Sequence, residues 1–302
     1  MTTASPVRVT GLLGPVTTPF AESNGALDLE AFQKNLKAHV AAGLNGVVVA
    51  GSTGEAALLD REERRSLAET ARSAIGAEKL VVVGAGAEAT RTSVLLARDA
   101  AAAGADAVLV VAPHYYGSQM TVEALRAHYT RVADESPLPV LLYNIPRYMH
   151  FGLSAELVAE LAQHPNIVGM KDSSGSQEAL AGFLKSRSDS FGVLTGSAKL
   201  WSWALERGAV GGILAVSLFA PRVALEVMRI ATGKAAADGG VAQARLDRLS
   251  GPIVGEMGVA GVKAALDAVG LTGGPLRPPL MPLEGAPLGE MNALLQEAGL
   301  TA

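Results

Sequence analysis

The 302-residue sequence contains no cysteine, and this absence removes several chemistries at once. A chain without thiols forms no disulfide, uses no thiolate nucleophile and holds no iron–sulfur cluster or cysteine-ligated zinc. The absence also fits a reducing compartment, so we expect a cytoplasmic protein.

Long runs of one charge and long apolar runs are also missing. Lysine and arginine number 25 and aspartate and glutamate 29, a formal net charge of −4 with no basic stretch that could follow a phosphate backbone. The most apolar segment, residues 208–220, is shorter than the roughly 18 residues of a membrane helix. We therefore expect neither a nucleic-acid nor a membrane partner. Residues 1–10 lack the apolar stretch of a signal peptide and predict a disordered tail.

A local pattern recurs along the chain. An alanine-rich helical stretch ends at a glycine and is followed by a short run of valine, isoleucine or leucine, most plainly at residues 40–50, 101–111 and 205–216. Such runs, apolar throughout instead of alternating, are typical of parallel strands that are covered on both faces. Together with similar runs between them, they predict eight strands, at residues 12–17, 46–50, 80–84, 107–111, 139–143, 167–171, 191–196 and 212–216.

Amphipathic stretches separate these strands, so that a βα unit repeats eight times. A pitch of about 30 residues is that of a βαβ unit, and eight units close into a (β/α)₈ barrel of about 250 residues. We therefore predict a TIM barrel over residues 11–220, followed by a C-terminal helical extension over residues 221–302. The alternative is a doubly wound sheet, supported by a loose dinucleotide fingerprint at residues 84–89. That motif requires an acidic residue at the end of the next strand, whereas Asp106 precedes its strand.

In a barrel of this kind the catalytic groups lie at the carboxyl ends of the strands, and polar residues are concentrated there. The loops after strands 2, 4, 5 and 6 read Gly-Ser-Thr-Gly-Glu (51–55), Pro-His-Tyr-Tyr (113–116), Tyr-Asn-Ile-Pro (143–146) and Lys-Asp-Ser-Ser-Gly (171–175). These four loops carry several hydroxyl groups and one amine.

Lys171 ends an apolar strand, which places its amine at the mouth of the barrel but partly withdrawn from water. Desolvation disfavours the ammonium form, and a neutral amine attacks ketones. The product is a Schiff base, an electron sink for making or breaking the adjacent carbon–carbon bond. The alternative interpretation is a structural lysine that keeps its charge in water or in an ion pair.

Hydroxyl groups in the neighbouring loops favour the catalytic interpretation. Imine formation needs proton transfers to and from the departing water, and Tyr143 and Ser52 are candidates for this relay. Ser52 and Thr53, flanked by glycines, offer hydroxyl and backbone N–H groups to a carboxylate. Core packing would also explain Tyr143, and a helix cap would also explain Ser52, so each motif alone leaves both interpretations open.

Taken together, the motifs resemble those of the class I pyruvate aldolases, which include dihydrodipicolinate synthase, N-acetylneuraminate lyase and the 2-keto-3-deoxy sugar acid aldolases. The resemblance covers nearly the whole chain and rests on residues 51–55, 143–146, 169–175 and 208–213. It implies that Lys171 forms the imine with pyruvate and that Tyr143 donates and accepts the proton. It also implies that Ser52 and Thr53 hold the pyruvyl carboxylate and that Ile213 lines the same pocket.

Tyr115 resembles the family tyrosine that reaches across a dimer interface into the proton relay of the neighbouring subunit. The resemblance therefore implies a homo-oligomer, usually a tetramer built from two tight dimers. It implies no metal and no organic cofactor.

Two departures from the family pattern bear on the aldehyde partner. Dihydrodipicolinate synthases carry an arginine two residues after the proline of the tyrosine motif, whereas this chain has Tyr148 there and Arg147 one position earlier. Sialic acid lyases carry acidic residues where this chain has Ala198 and Lys199. The aromatic and cationic segment 147–151 would suit a less hydroxylated or an anionic acceptor.

The sequence thus predicts a Schiff-base-forming lyase that cleaves or condenses a 2-oxo acid, pyruvate plus an aldehyde. The open alternatives are 4-hydroxy-tetrahydrodipicolinate synthase in lysine biosynthesis, a 2-keto-3-deoxy sugar acid dehydratase and a non-enzymatic 2-oxo acid sensor. A metal-dependent aldolase needs His, Asp or Glu ligands clustered at the strand ends. It is disfavoured because only two histidines, His114 and His150, lie in the loops at the mouth of the barrel. A serine hydrolase is disfavoured because no serine occupies a Gly-x-Ser-x-Gly elbow.

Overall fold

The computed structural model describes residues 7–301, in which eight parallel strands close into a barrel. The strands are β1 (Gly11–Pro15), β2 (Gly46–Val49), β3 (Leu80–Gly84), β4 (Ala107–Val111), β5 (Val140–Asn144), β6 (Ile167–Asp172), β7 (Gly192–Thr195) and β8 (Gly211–Ile213). Each strand pairs with its neighbours in chain order, and β8 pairs with β1. The prediction of a (β/α)₈ barrel is confirmed.

Helices follow the strands, and further helices form the C-terminal region. They are α1 (Leu29–Ala41), α2 (Arg61–Ile75), α3 (Thr90–Ala102), α4 (Val122–Glu135), α5 (Pro146–Met149), α6 (Ala155–Leu161), α7 (Gln177–Leu184), α8 (Trp201–Glu206), α9 (Pro221–Ala231), α10 (Gly239–Leu249), α11 (Gly258–Ala268) and α12 (Gly285–Glu297). Polar side chains cap the N-termini of several of these helices. At the start of α2, Asp60 forms a capping box with Glu63. No helix within residues 7–301 is long and apolar enough to cross a membrane.

The last strand is shorter than the apolar run that predicts it. β8 ends at Ile213, and a 3₁₀ turn at Ala215–Leu218 follows in place of further strand. Val216 and Leu218 are nevertheless buried, because the turn packs beneath the C-terminal helices. Burial alone therefore explains this part of the apolar run, and an apolar run marks burial more reliably than it marks a strand.

Helix α9 occupies the eighth position of the outer ring. The Trp201 indole N–H on α8 donates to the Ala224 carbonyl on α9 at 2.9 Å, and Leu225 packs beside Gly43 at the end of α1. The ring therefore extends past the predicted barrel boundary at residue 220. At the other end, residues 1–6 of the predicted tail lie outside the described residues, and Val9 is already buried in the core.

A buried ion pair joins the C-terminal region to the barrel. Lys263 Nζ on α11 lies 2.5 Å from Glu55 Oε1, and neither side chain is more than 2% exposed. Lys263 also donates to the Pro275 carbonyl at 2.7 Å, while the Arg277 backbone N–H donates to Glu55 Oε2 at 2.9 Å. Burial lowers the pKa of Lys263, and the contact with Glu55 opposes this shift. The pair thus fixes α11 to the loop that contains residues 51–55.

Removing one member of this pair should destabilise the protein more than removing both charges. In Lys263→Met the Glu55 carboxylate stays buried without its cation, which costs about 3–5 kcal/mol. In the double variant with Glu55→Gln no unpaired charge remains, so most of the loss should be recovered. Urea unfolding followed by circular dichroism measures the difference, with the exposed Lys37→Met as control. Equal unfolding midpoints for the single and double variants would contradict this account.

His39 on α1 should make the stability fall in mild acid. It is buried, and burial lowers its pKa from 6.5 to about 4. Between these two pH values the unfolded chain binds a proton that the folded chain does not, so stability present above pH 6.5 is lost as the pH falls toward 4. As the pH falls through this range, the His39→Leu variant should lose about 3 kcal/mol less stability than the wild type. Urea titrations at pH 7 and pH 4.5, on wild type and variant, test the expectation; parallel pH dependences would refute it.

Candidate active site

A cavity of about 290 Å³ opens at the carboxyl ends of the barrel strands. Its wall includes five of the six site residues that the sequence predicts, namely Ser52, Thr53, Tyr143, Lys171 and Ile213. These residues follow or end four different strands, β2, β5, β6 and β8. The closed barrel therefore brings together side chains that are far apart along the chain.

Three of these side chains form a chain of polar contacts. Lys171 Nζ donates to Tyr143 Oη at 3.4 Å, and Tyr143 Oη lies 3.5 Å from Ser52 Oγ. Lys171 and Tyr143 are both buried, and the amine also lies 4.5 Å from the centre of the tyrosine ring. Both distances are at the long end of the range for hydrogen bonds. The arrangement connects an amine, a phenol and a hydroxyl group along which protons can move.

The barrel backbone places Lys171 beside Tyr143. The two residues are direct neighbours in the register of β6 and β5, so both side chains project into the barrel. Gly196, just after β7, leaves room for the lysine: a Cβ atom there would lie 2.6 Å from Lys171 Cε. A side chain at position 196 would therefore displace the amine.

The next residues along these strands, Asn144 and Asp172, are also paired in register and form a buried polar network. Asn144 Nδ2 donates to Asp172 Oδ1 at 2.7 Å, and the Ser174 hydroxyl donates to Asp172 Oδ2 at 2.8 Å. The Leu153 backbone N–H donates to Asn144 Oδ1 at 3.0 Å. Burial raises the pKa of Asp172, and the hydrogen bonds from Asn144 and Ser174 oppose the shift. The network ties together the ends of the two strands that carry Tyr143 and Lys171.

The loop after β2 holds Ser52 and Thr53 in a 3₁₀ turn, Ser52–Gly54. Ala50 and Glu55 flank this turn with φ of 51° and 57°, a left-handed conformation that costs non-glycine residues about 1 kcal/mol or more. The Thr18 hydroxyl donates to the Gly54 carbonyl at 2.7 Å, and Glu55 contacts Lys263. These contacts hold the strained loop so that its hydroxyl groups face the cavity.

Tyr115, the sixth predicted residue, does not line the cavity of its own chain. Its side chain is 78% exposed and packs edge-on against Tyr116, with the ring centres 5.0 Å apart. The backbone N–H groups of His114 and Tyr115 both donate to Glu88 Oε2 at 2.9 Å, which fixes the loop. The predicted role of Tyr115 in the relay of a neighbouring subunit stays a prediction.

Several wall residues were not identified by the sequence reasoning. The C-terminal region supplies part of the wall, chiefly from the π-helical segment Ser250–Glu256 and the start of α11. The signal in the sequence is the glycine-rich stretch 251–261, whose small residues let the chain approach the mouth. Within the described part of the chain, no three His, Asp or Glu side chains form a group that could hold a metal ion.

A buried lysine, a tyrosine and two hydroxyl residues at the mouth of a (β/α)₈ barrel are the groups that an imine-forming enzyme acting on carbonyl compounds needs. The chain belongs to the dihydrodipicolinate synthetase family, whose model matches residues 8–298. The resemblance that the motifs indicate is therefore confirmed, and the chain is a carbon–carbon lyase of the class I pyruvate aldolase type. This assignment disfavours the non-enzymatic sensor.

Relatives with two different named activities match over most of the chain. It is 38% identical to the 4-hydroxy-tetrahydrodipicolinate synthase of Xanthomonas axonopodis pv. citri, over 93% of this chain and 91% of that one. It is 35% identical to a probable mitochondrial 4-hydroxy-2-oxoglutarate aldolase of Emericella nidulans, over 96% and 94%. The chloride-inhibited dihydrodipicolinate synthase of Acinetobacter baumannii, crystallised with pyruvate, has a TM-score of 0.91 at 29% identity and covers 97% of this chain and 100% of that one.

The link between Asn144 and Asp172 yields a prediction about turnover. Asn144→Asp places two carboxylates side by side, which should separate the ends of β5 and β6 and move Tyr143 away from Lys171. A displacement of about 1 Å lowers kcat by roughly ten- to a hundred-fold. The reciprocal double variant, Asn144→Asp with Asp172→Asn, restores one carboxylate and one amide and should recover most of the activity. The check is kcat for pyruvate and an aldehyde, with folding verified by circular dichroism; a double variant no better than the single one would refute the link.

Proposed function

We propose that this protein condenses pyruvate, or another short 2-oxo acid, reversibly with an aldehyde through an imine on Lys171. The observation that carries the proposal is the 3.4 Å contact between Lys171 Nζ and Tyr143 Oη in a cavity that also contains Ser52 and Thr53. The similarity to a synthase crystallised with pyruvate supports the choice of 2-oxo acid.

The first half of the reaction forms the imine. The neutral Lys171 amine attacks the keto carbon of pyruvate, and the carbinolamine loses its hydroxyl group as water. Tyr143 supplies the proton that the leaving hydroxyl needs, and Ser52, 3.5 Å away, extends the path along which that proton is replaced. The hydroxyl and backbone N–H groups of Ser52 and Thr53 bind the pyruvyl carboxylate, while Ile213 packs against the substrate.

The second half makes the carbon–carbon bond. A proton leaves the methyl carbon, and its electron pair flows toward the iminium nitrogen to give an enamine. The enamine carbon attacks the aldehyde carbon, and the aldehyde oxygen takes up a proton. Water then hydrolyses the new imine, releasing a 4-hydroxy-2-oxo acid and the free Lys171 amine. Cleavage is the reverse sequence, and only protons and water are exchanged, so no cofactor is needed.

The second candidate is 4-hydroxy-tetrahydrodipicolinate synthase, favoured by the name of the 38% identical relative. The residue at position 148 is evidence against this activity. Such synthases have an arginine there that binds the carboxylate of their aldehyde, whereas this chain has Tyr148. A dehydratase that eliminates water from the same imine also stays open, because the electron sink is the same.

The proposal extends to assembly and location. We propose a homotetramer built from two tight dimers, in which Tyr115 of one subunit completes the relay of the next. Its exposed ring, 78% accessible in the single chain, supports a position at such an interface. A cytoplasmic location is part of the same proposal.

Borohydride trapping tests the imine directly. Incubation with pyruvate and borohydride should add the mass of pyruvic acid less one oxygen, and peptide mapping should place the adduct on Lys171. Lys171→Arg should give none, and Tyr143→Phe should slow turnover by about a hundred-fold or more, because it removes the proton donor. Lys185→Arg, outside the cavity, is the matched control. A folded wild-type protein with no adduct on Lys171 would overturn the proposal.

A further inference from the structure

The 3₁₀ turn that carries Ser52 and Thr53 is closed by Glu55. The Glu55 backbone N–H donates to the Ser52 carbonyl at 3.2 Å. Glu55 does this in the left-handed region, with φ of 57°, and its side chain is buried. A non-glycine residue keeps such a conformation only where the surrounding structure holds it. The position of Ser52 and Thr53 therefore depends on what holds the Glu55 carboxylate.

The C-terminal region holds both oxygens of this carboxylate. Lys263 Nζ on α11 lies 2.5 Å from Oε1, and the Arg277 backbone N–H donates to Oε2 at 2.9 Å. Val262, the residue before Lys263, lines the cavity. Helix α11 thus contacts the cavity through one residue and Glu55 through the next.

Residues 272–277, the C-terminal strap, follow α11 and are fixed to two helices. Thr272 exchanges two hydrogen bonds with the buried Asn35 side chain on α1, at 2.6 and 3.0 Å. The Pro275 carbonyl accepts a hydrogen bond from Lys263 Nζ at 2.7 Å. The strap therefore has anchors of its own, in addition to its contact with Glu55.

The Arg277 side chain anchors the end of the strap. Its guanidinium donates two hydrogen bonds of 2.7 Å to Glu63 on α2 and one of 2.8 Å to the Leu58 carbonyl. The Phe20 ring centre lies 4.2 Å from Arg277 Cζ and 4.7 Å from Lys263 Nζ, so one ring packs against both cations. Arg277 does not line the cavity, so its effect on a substrate passes through the residues that it contacts.

We propose that Lys263 and Arg277 are positioning residues for the carboxylate of the 2-oxo acid, acting through Glu55 on the turn that carries Ser52 and Thr53. The inference rests on the proposed function, because it needs that carboxylate at Ser52 and Thr53. Hydroxyl and backbone N–H groups bind a carboxylate well when they already converge on its position before the substrate arrives. A loosened turn should therefore weaken the binding of the 2-oxo acid more than it slows the chemistry at Lys171.

Imine trapping with a charged and a neutral ketone tests the proposal. Pyruvate and hydroxyacetone have the same carbon number, but hydroxyacetone has a hydroxymethyl group in place of the carboxylate. Each is titrated into the full-length protein with cyanoborohydride, and the rate of adduct formation on Lys171 is followed by intact mass.

Arg277→Met should raise the half-saturating concentration of pyruvate about ten-fold, because the turn is displaced. The trapping rate at saturation should fall by no more than about two-fold, because the register of β5 and β6 keeps Tyr143 beside Lys171. Trapping of hydroxyacetone, which has no carboxylate for the turn to bind, should change equally little.

Two further variants separate positioning from stability, with folding checked by circular dichroism and urea unfolding. Arg126→Met removes another arginine that donates two hydrogen bonds to a glutamate, on the outer helices α4 and α6, and should leave both ketones unaffected. The double variant Lys263→Met with Glu55→Gln contains no unpaired buried charge and should stay folded. It lacks the ion pair that holds the turn, so its half-saturating pyruvate concentration should rise as in Arg277→Met.

Wild-type half-saturation by pyruvate in either folded variant, Arg277→Met or the double variant, would overturn the proposal. An equal loss with both ketones would also contradict it, because a general disturbance of the barrel does not distinguish a carboxylate from a hydroxymethyl group. The wild-type protein separates the two levels of inference. An adduct on Lys171 together with unaffected variants refutes only the positioning role, whereas no adduct refutes the imine and this inference with it.

Discussion

The pairing of β5 with β6 is the constraint on which the candidate site depends. In a parallel sheet the register determines which side chains are neighbours, and here it places Tyr143 beside Lys171 within the barrel. The following pair, Asn144 and Asp172, fixes the same register from the opposite face by a buried hydrogen bond. A slip of β6 by one residue would turn Lys171 to the other face of the sheet, away from Tyr143. The placement of these two side chains thus depends on the pairing of the strands that carry them.

The C-terminal region forms part of the candidate site. The buried pair of Glu55 and Lys263 links α11 to the loop that presents Ser52 and Thr53, and the π-helical segment forms a wall of the cavity. Burying two charges is costly unless they are well paired, so such a contact holds the two elements in one relative position. The loop after β2 and the C-terminal wall of the cavity are therefore held in one relative position beside Lys171.

Patterns along the chain account for most of the barrel, because parallel strands covered on both faces leave continuous apolar runs in the sequence. The exceptions arise from burial and packing that the sequence pattern does not reveal. The run after β8 is apolar because a turn is buried there, and α9 looks like any C-terminal helix until its packing against Trp201 is known. Lys171, Tyr143, Ser52 and Thr53 could be predicted because each lies in a motif at the end of a strand, whereas Ile213 was expected only from the resemblance to the family. Arg147 and Lys199 drew attention only as departures from a family pattern, since nothing local shows that they share one cavity.

The sequence by itself determined the eight βα units, the polar loops at the strand ends and the amine that makes a lyase of this class conceivable. These properties are local, because they depend on periodicity, on glycine and on the residues next to each strand. The tertiary structure decided which loops meet and how far Lys171 lies from Tyr143. Closure of the barrel and docking of the C-terminal helices create these relations between distant residues, and no local pattern encodes a distance across a cavity.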